Sequence, residues 1–261
     1  MKLFSGADFV KTNGLSNIGI TNLRDIGGLK TPEGHLKKGI FFRSGELYQL
    51  SKAASNFLSQ DLAIKKIFDF RRPVEIKNRP DITVANAAYE NINLLSSPAQ
   101  ANPSLKNMVI NLQMDDYMYS VYTELALSPS ARQGFHDFLL EVLALKKPLI
   151  FHCFAGKDRT GFAAALLLKI AGVAPADIFD DYLKTNQARK KANQQILERF
   201  NDKLSSEKLK ALEVSLYVKA EYLQFAFEQI QKNYGTFNNY LKDGLALPAD
   251  FANKFRIAFI A

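Results

Sequence analysis

The fold is decided by one stretch of the chain, which reads Leu149-Ile-Phe-His152, then Cys153-Phe-Ala-Gly-Lys-Asp-Arg159, then Thr160-Gly-Phe-Ala-Ala-Ala-Leu-Leu-Leu-Lys-Ile-Ala171. The first four residues are mostly apolar and follow Pro148, which predicts a short buried strand. Residues 162–171 are apolar on nearly every side, which indicates a central helix covered all round, and Gly172 is expected to end it. A strand, a loop and a buried helix therefore follow one another directly.

The loop between this strand and this helix is suited to binding phosphate. Backbone N–H groups that curl into a helix N-terminus hold phosphate oxygens and lower the pKa of a thiol placed among them. We therefore expect Cys153 to be an ionised nucleophile and Arg159 to clamp two phosphate oxygens. Thr160 is placed to donate its hydroxyl to the thiolate, and His152 is expected to orient the loop. The expected phosphate-binding residues are Phe154, Ala155, Gly156, Lys157, Asp158 and Arg159.

The chemistry also requires a proton donor. Attack by Cys153 on a phosphate ester forms a phosphocysteine, which water then hydrolyses, and the leaving oxygen takes up a proton. Asp158, inside the loop, is one candidate for the general acid. Asp69, at the end of a strand predicted over residues 64–70, is the other, although it could equally form a structural ion pair with Arg71. The residues by themselves leave this choice open.

Composition limits the possible partners and cofactors. The chain has 261 residues, 47% hydrophobic and 23% charged, which is typical of a single globular domain spanning 1–261. One cysteine rules out a disulfide framework and a cysteine-rich zinc site, and with only three histidines a catalytic metal would have to rely mainly on carboxylates. No metal or other cofactor is expected. The net charge of +8 favours anionic partners. Of these, the loop favours phosphorylated substrates, and no nucleic-acid partner is expected.

The sequence also predicts where the protein resides. Its first residues, Met1-Lys-Leu-Phe-Ser-Gly-Ala-Asp-Phe, lack the continuous apolar core of a signal peptide. No stretch approaches the roughly 18 to 20 apolar residues that a membrane-spanning helix needs. We therefore expect a cytoplasmic protein without a transmembrane segment. Secretion would require a signal removed before the present numbering begins.

Other patterns predict mixed strands and helices, followed by helices alone. A strand lies between Gly39 and Gly45, Ser51 begins a helix that runs to about Leu62, and strands are expected over 64–70 and 89–95. Pro98 and Pro103 mark a loop. Later helices are expected over 114–127, from the Ser128-Pro129 start to 145, and almost throughout from Pro175, including one amphipathic helix over 214–233. This order is typical of an α/β layer protein with a helical C-terminal extension.

The loop resembles the signature His-Cys-x-x-Gly-Lys-Asp-Arg-Thr-Gly of a protein tyrosine/serine phosphatase family of bacteria and fungi. Further blocks resemble that family in the same order along the chain. They are Asn22-Leu-Arg-Asp-Ile-Gly-Gly28, Phe42-Arg-Ser-Gly45, Ile67-Phe-Asp-Phe-Arg71 with Glu75, Asp181-Tyr-Leu-Lys-Thr-Asn186, and Tyr234-Gly-Thr-Phe-Asn-Asn-Tyr240. The resemblance therefore covers nearly the whole chain.

The resemblance implies a protein-tyrosine-phosphatase-like α/β fold, with a central, mostly parallel sheet of four or five strands flanked by helices. It implies Cys153 as nucleophile, Arg159 as phosphate clamp and Asp158 as the general acid, while Asp69 would position Arg159 or share the acid role. Relatives carry a helical lid over the site, and residues 186–233 are the expected counterpart. The lid aromatics Tyr217, Tyr222 and Phe225 would face either the pocket or the core.

The implied reaction is metal-independent hydrolysis of phosphotyrosine in proteins or peptides, extending to phosphoserine and phosphothreonine, with inorganic phosphate as product. The alternative substrate is a phosphoinositide, because Lys157 resembles a basic loop residue of lipid phosphatases. Extra headgroup phosphates would then need Arg72, Lys184 or Arg189, although the run Arg189-Lys-Lys191 is also typical of a solvated helix face. Two further hypotheses are a phosphate-binding module without turnover and a thiolate enzyme for sulfur or arsenate. Arsenate reduction normally needs further cysteines, which this chain lacks.

Overall fold

The computed structural model describes residues 18–95 and 114–261, so the loop predicted around Pro98 and Pro103 lies outside the described residues. The strands are β1 Arg24–Asp25, β2 Lys30–Thr31, β3 Gly34–His35, β4 Phe41–Ser44, β5 Lys66–Asp69, β6 Ala88–Asn91 and β7 Leu149–His152. The helices are α1 Lys52–Asn56, α2 Pro73–Asn78, α3 Met114–Leu127, α4 Pro129–Leu145, α5 Asp158–Ala171, α6 Pro175–Phe200, α7 Ser206–Leu216, α8 Ala220–Tyr234, α9 Phe237–Asn239 and α10 Phe251–Phe259. Within these ranges, no helix combines the length and the apolar character that crossing a membrane requires.

A five-stranded sheet in the order β1-β4-β7-β5-β6 forms the centre of the fold. β4, β7, β5 and β6 are parallel, and the short edge strand β1 is antiparallel to β4. The register aligns the last residues of three neighbouring strands, Ser44, His152 and Asp69. The loop that follows β7 therefore starts at the carboxyl edge of the sheet, where open α/β sheets bind their ligands. The predicted fold class is confirmed.

The two faces of the sheet pack against different helices. Along β5, Phe68 joins one apolar core and Ile67 the other, because successive strand side chains point to opposite faces. On the first face, Phe68 lies edge-on to Phe138 of α4, with ring centroids 5.0 Å apart. On the second face, Ile67 shares a core with Leu58, in the π-helical turn that continues α1. Both faces are covered, which explains why these strands read as continuous apolar runs.

Two predicted helix starts are confirmed by their caps. The Ser51 hydroxyl accepts a hydrogen bond from the Ala54 amide at 3.1 Å, and the Ser128 hydroxyl accepts one from the Ala131 amide at 3.2 Å. The helix that follows the motif loop begins at Asp158 rather than at 162, so the second half of the motif is already helical. Gly172 ends this helix with φ of +86°, as predicted.

The prediction of a single amphipathic helix over 214–233 is wrong, because this segment is divided between two helices, α7 and α8. The side chain of Asn186 in α6 accepts a hydrogen bond from the Val218 amide at 2.8 Å and donates one to the Val218 carbonyl at 2.9 Å. Asn193 also donates to the Leu216 carbonyl at 2.9 Å. These bonds use the backbone groups that a continuous helix would need for its own ladder. Contacts with residues distant in sequence therefore override the continuous helix that the local spacing of apolar residues predicts.

Candidate active site

Gly156 sets the shape of the loop between β7 and α5. Its φ is +68°, a conformation that favours glycine, and an added Cβ would lie 2.4 Å from the Ser44 carbonyl oxygen. The Gly156 carbonyl accepts hydrogen bonds from Asn22 Nδ2 at 2.6 Å and Arg43 Nη2 at 3.0 Å. The side of the loop that faces β4 is therefore fixed by direct bonds to its backbone.

An ion pair connects this anchored loop to helix α6. Arg43 is fully buried and donates to Asp181 Oδ2 at 2.7 Å, while Arg24 donates to Asp181 Oδ1 at 2.8 Å. Burial would raise the pKa of Asp181, but the charges of Arg43 and Arg24 lower it to about 2. The sequence blocks that begin at Asn22, Phe42 and Asp181 are distant from one another along the chain, but they meet here. Their side chains hold the Gly156 carbonyl in place, either directly or through this ion pair.

Cys153 lies directly after β7 and is 2% exposed. Burial alone would raise the pKa of its thiol, but the Arg159 charge and hydrogen bonds from the Thr160 hydroxyl and amide outweigh burial and lower the pKa below its ordinary value. Thr160 Oγ1 is buried and has no hydrogen-bond partner within the described part of the chain, so its proton is available to the thiolate beside it or to a bound ligand. The site therefore favours the thiolate.

Arg159 is held by Glu75, and not by Asp69. Its Nη1 donates to Glu75 Oε2 at 2.8 Å and its Nη2 donates to Oε1 at 3.0 Å, and Nη1 also donates to the Phe70 carbonyl at 3.2 Å. Burial would raise the pKa of Glu75, but the Arg159 charge keeps it below its ordinary value. The contact that the resemblance assigned to Asp69 therefore belongs to Glu75. The sequence associated Glu75 with a family block but gave it no role.

We expect Glu75→Gln to destabilise the protein by about 3 kcal/mol, because it leaves the buried Arg159 charge without a carboxylate. Denaturant unfolding measures this loss. Glu33→Gln is the matched control, since Glu33 forms an exposed pair with Arg256 at 3.3 Å that is expected to contribute less than about 1 kcal/mol. Equal, small losses in the two variants would contradict the role of Glu75.

Asp158 lines the cavity above the loop and is held by two neighbours. Tyr122 donates to Asp158 Oδ1 at 3.1 Å, and Lys157 Nζ lies 2.9 Å from Oδ1 and 2.7 Å from Oδ2. The Tyr122 hydroxyl also shares a 2.5 Å hydrogen bond with that of Tyr182. The carboxylate therefore faces the cavity in a fixed position, and Lys157, which the sequence linked to substrate, is bonded to Asp158 here.

Asp69 does not line this cavity. It is fully buried, and Arg71 Nη2 donates to its Oδ2 at 2.7 Å while Tyr89 donates to the same oxygen at 2.8 Å. Atoms of Asp69, Asp81 and His152 lie close enough together to suggest a metal site. Arg71 binds both carboxylates, however, and already supplies the positive charge. The geometry therefore favours the structural interpretation of Asp69, whereas Asp158 is placed to face a ligand in the cavity.

His152 belongs to the same buried network. Its Nε2 lies 2.9 Å from Asp81 Oδ2, and its Nδ1 lies 3.3 Å from the Cys153 carbonyl oxygen. Burial would lower the pKa of His152, but the carboxylates of Asp69 and Asp81 raise it to about 9. A protonated His152 can donate to the Cys153 carbonyl, at the start of the loop.

The cavity walls combine apolar side chains with cations. Helices α3, α6 and α7 contribute much of the apolar surface, and Arg72, Lys157, Arg159 and Arg189 contribute the positive charges. Lys184 is exposed and does not line the cavity. The full lining comprises Arg72, Leu95, Met114, Tyr117, Met118, Val121, Cys153, Phe154, Ala155, Lys157, Asp158, Arg159, Arg189, Ile196, Ser215 and Leu216.

The aromatic side chains expected in the lid pack mainly against helix α3. Tyr222 stacks on Tyr122 with ring centroids 5.7 Å apart, and Phe225 lies edge-on to Tyr119 at 4.9 Å. Tyr217 is half-buried, and none of the three aromatic residues of 186–233 named above lines the cavity. The residues of this segment that reach the cavity are instead Arg189, Ile196, Ser215 and Leu216.

The interpretation of Arg189-Lys-Lys191 as a solvated face is wrong for its first residue. Lys190 and Lys191 are exposed, but Arg189 is 6% exposed and its Nη1 donates to the Ala155 carbonyl at 2.9 Å. Helix α6 buries a polar stripe at four-residue spacing, made of Asp181, Thr185, Arg189 and Asn193. A search for apolar periodicity cannot find such a stripe, because its members pair with polar groups of other elements.

Known proteins resemble this chain over most of its length. The model of the tyrosine phosphatase family matches residues 15–261. A Cupriavidus necator protein named as a tyrosine-protein phosphatase is 33% identical over 235 residues, covering 87% of this chain and 82% of that protein. The triple specificity protein phosphatase PtpB of Mycobacterium tuberculosis is 30% identical over 258 residues, covering 86% of this chain and 91% of that protein. Among solved structures, P. aeruginosa TpbA in complex with phosphotyrosine is 15% identical, covers 73% of this chain and 94% of that one, and has a TM-score of 0.33.

Proposed function

The chain belongs to the tyrosine phosphatase family, and from this premise we propose that it hydrolyses phosphotyrosine through a phosphocysteine on Cys153. The position of the Cys153 thiol carries the proposal. It lies at the N-terminal end of α5, where the charge of Arg159 and the Thr160 hydroxyl both favour its thiolate. A thiolate beside a phosphate clamp has a direct use in nucleophilic phosphoryl transfer.

The first chemical step transfers the phosphoryl group to the enzyme. The loop amides and Arg159 hold the phosphate oxygens, and the Cys153 sulfur attacks phosphorus. The sulfur–phosphorus bond forms while the bond from phosphorus to the ester oxygen breaks, and the leaving oxygen takes a proton from Asp158. In this scheme Arg159 and the helix N-terminus supply the positive charge that the transferred group requires, so we propose turnover that is independent of metal ions.

The second step returns the enzyme to its starting state. The Asp158 carboxylate, deprotonated by the first step, takes a proton from water as the water oxygen attacks phosphorus. The sulfur–phosphorus bond breaks, the thiolate is restored, and inorganic phosphate leaves. Tyr122, which donates to Asp158 Oδ1, keeps the carboxylate in place during both proton transfers.

The apolar walls favour an aromatic substrate. Tyr117, Met118 and Leu216 line the cavity, and such surfaces suit a phenyl ring better than a bare polar alcohol. The relative PtpB carries the name of a triple specificity phosphatase, which supports extending the proposal to phosphoserine and phosphothreonine. Arg72 and Lys157 also line the cavity, and this additional positive charge favours phosphoinositides as the second candidate substrate.

We also propose that residues 186–233 act as a lid within a single domain spanning 1–261. Ile196 and Leu216, from two different helices of this segment, both line the cavity that contains Cys153. The side chains of Asn186 and Asn193 join those helices through backbone groups of Val218 and Leu216. Movement of this segment would therefore open and close the cavity.

A turnover assay tests the proposed function. We expect the protein to release phosphate from a phosphotyrosine peptide, vanadate to inhibit the release, and a chelator to leave the rate unchanged. The same assay over a panel of phosphoinositides ranks the second candidate against the first. Loss of activity on adding the chelator, or no release from any phosphoester, would refute the proposal.

A further inference from the structure

Arg189 differs from the other buried arginines in lacking a carboxylate partner. Arg43 pairs with Asp181, Arg71 with Asp69, and Arg159 with Glu75, at distances of 2.7 to 2.8 Å. Across the described ranges, no carboxylate oxygen lies within 4.0 Å of the Arg189 guanidinium. Its Nη1 donates to the Ala155 carbonyl, while its buried Nε has no hydrogen-bond partner among the residues that the structure describes.

This arrangement is energetically unfavourable unless an anion completes it. Burial disfavours a charge that has no ion-pair partner, and a buried donor without an acceptor adds to that cost. The charges of Cys153, Asp158 and Glu46 favour the Arg189 cation, but none of them forms an ion pair with it. A guanidinium has five N–H donors, so the bond to the Ala155 carbonyl leaves donors available. Arg189 also lines the cavity that contains Cys153. A cation with unused donors in a binding cavity indicates an anionic group of the ligand.

The scissile phosphate already has its own partners. Arg159 and the loop amides are placed to bind its oxygens, and Lys157 forms an ion pair with Asp158. Arg189 reaches the cavity from α6, a different element from α5, which supplies Arg159. The cavity therefore contains one buried cation more than a single phosphate monoester uses.

We propose that Arg189 binds a second phosphate of the substrate, carried on the same small group as the scissile phosphate. The inference depends on the proposed function. Arg189 is only 6% exposed, and Ile196 and Leu216 line the same cavity. A second anionic group that reaches Arg189 must therefore enter the cavity together with the first. This enclosure favours a small bisphosphate over an acidic side chain in a phosphopeptide.

Aryl phosphates that differ in one group provide the test. Phenyl phosphate is compared with the ortho, meta and para benzene bisphosphates, and the readout is the ratio of kcat/KM for bisphosphate over monophosphate. We expect the wild type to prefer at least one bisphosphate, and Arg189→Gln to reduce that ratio by about tenfold or more. The ratio cancels any general damage to the loop, since such damage slows both substrates alike.

Lys190→Gln is the matched control, because it removes the same charge from the exposed neighbouring position of α6 and should leave the ratio unchanged. Equal ratios in wild type and Arg189→Gln would overturn the proposal. Failure of the proposed function has a different signature, which is no turnover of phenyl phosphate by the wild type. In that case the same ratio is measured as binding affinity by calorimetry, on the Cys153→Ser protein with and without Arg189→Gln.

Two further arms identify the source of the second phosphate. An inositol bisphosphate free in solution is compared with the same headgroup in a lipid vesicle. If turnover of either substrate depends on Arg189, the subsite is supported. Phosphotyrosine peptides with acidic or neutral flanking residues form the other arm. If Arg189→Gln changes only the preference between these peptides, the second group is a peptide side chain and the proposal is wrong.

Discussion

Replacing Cys153 with serine is expected to lower kcat on phenyl phosphate by about ten-thousandfold or more. The site favours a thiolate through Arg159 and Thr160, but the much less acidic serine hydroxyl would remain protonated there. Activation of that hydroxyl would need a neighbouring base. His152 cannot serve, because its imidazole is held by Asp81 and by the Cys153 carbonyl. Steady-state kinetics measures the loss.

The same variant separates catalysis from simple binding. Cys153→Ser leaves Arg159 and the loop backbone in place, so it should still bind inorganic phosphate and unfold at a denaturant concentration close to that of the wild type. Loss of turnover with binding retained would exclude a phosphate-binding module as the function of the wild-type protein. Retention of more than about a hundredth of the wild-type rate would contradict Cys153 as the nucleophile.

Replacing Asp158 with asparagine is expected to slow turnover by about a hundredfold to ten-thousandfold for phenyl phosphate. The amide keeps the size of the side chain but cannot supply a proton to the leaving oxygen. para-Nitrophenyl phosphate has a leaving group that is stable without a proton, so its first step should lose much less. The measurement is the rate of product release in the first turnover for each substrate.

Asp69→Asn is the control for this prediction. It should weaken the pair with Arg71, lower the stability of the protein, and slow both substrates by similar factors. A dependence on the leaving group that appeared in Asp69→Asn and was absent from Asp158→Asn would transfer the acid role to Asp69. The kinetics would then contradict the geometry, in which Asp158 lines the cavity and Asp69 does not.

The strand, loop and helix around Cys153 could be predicted because their signals are local. Apolar residues 149–151, the glycine at 156 and the apolar helix up to Gly172 follow one another without interruption. The chemically distinctive pair, Cys153 and Arg159, lies within a single loop, so its proximity follows from sequence spacing alone. Parallel pairing of β7 with both of its neighbours then places this loop at the carboxyl edge of the sheet.

The partners of these residues could not be predicted, because they are distant in sequence. Arg159 lies 84 residues from Glu75, and Arg43 lies 138 residues from Asp181. Their pairing depends on the sheet order and on how α6 packs, and neither can be read from local propensity. The burial of Arg189 was missed for the same reason, since a polar residue on a polar helix is normally solvated.

The phosphocysteine itself is the most direct test of the mechanism. In Asp158→Asn, para-nitrophenyl phosphate should still phosphorylate Cys153, while hydrolysis of the intermediate slows because water lacks its base. Rapid acid quenching within the first turnover, followed by digestion and mass spectrometry, should then show one phosphoryl group on the peptide that contains Cys153. A burst of nitrophenol with no phosphoryl group on that peptide, or with the group on another residue, would contradict nucleophilic attack by Cys153.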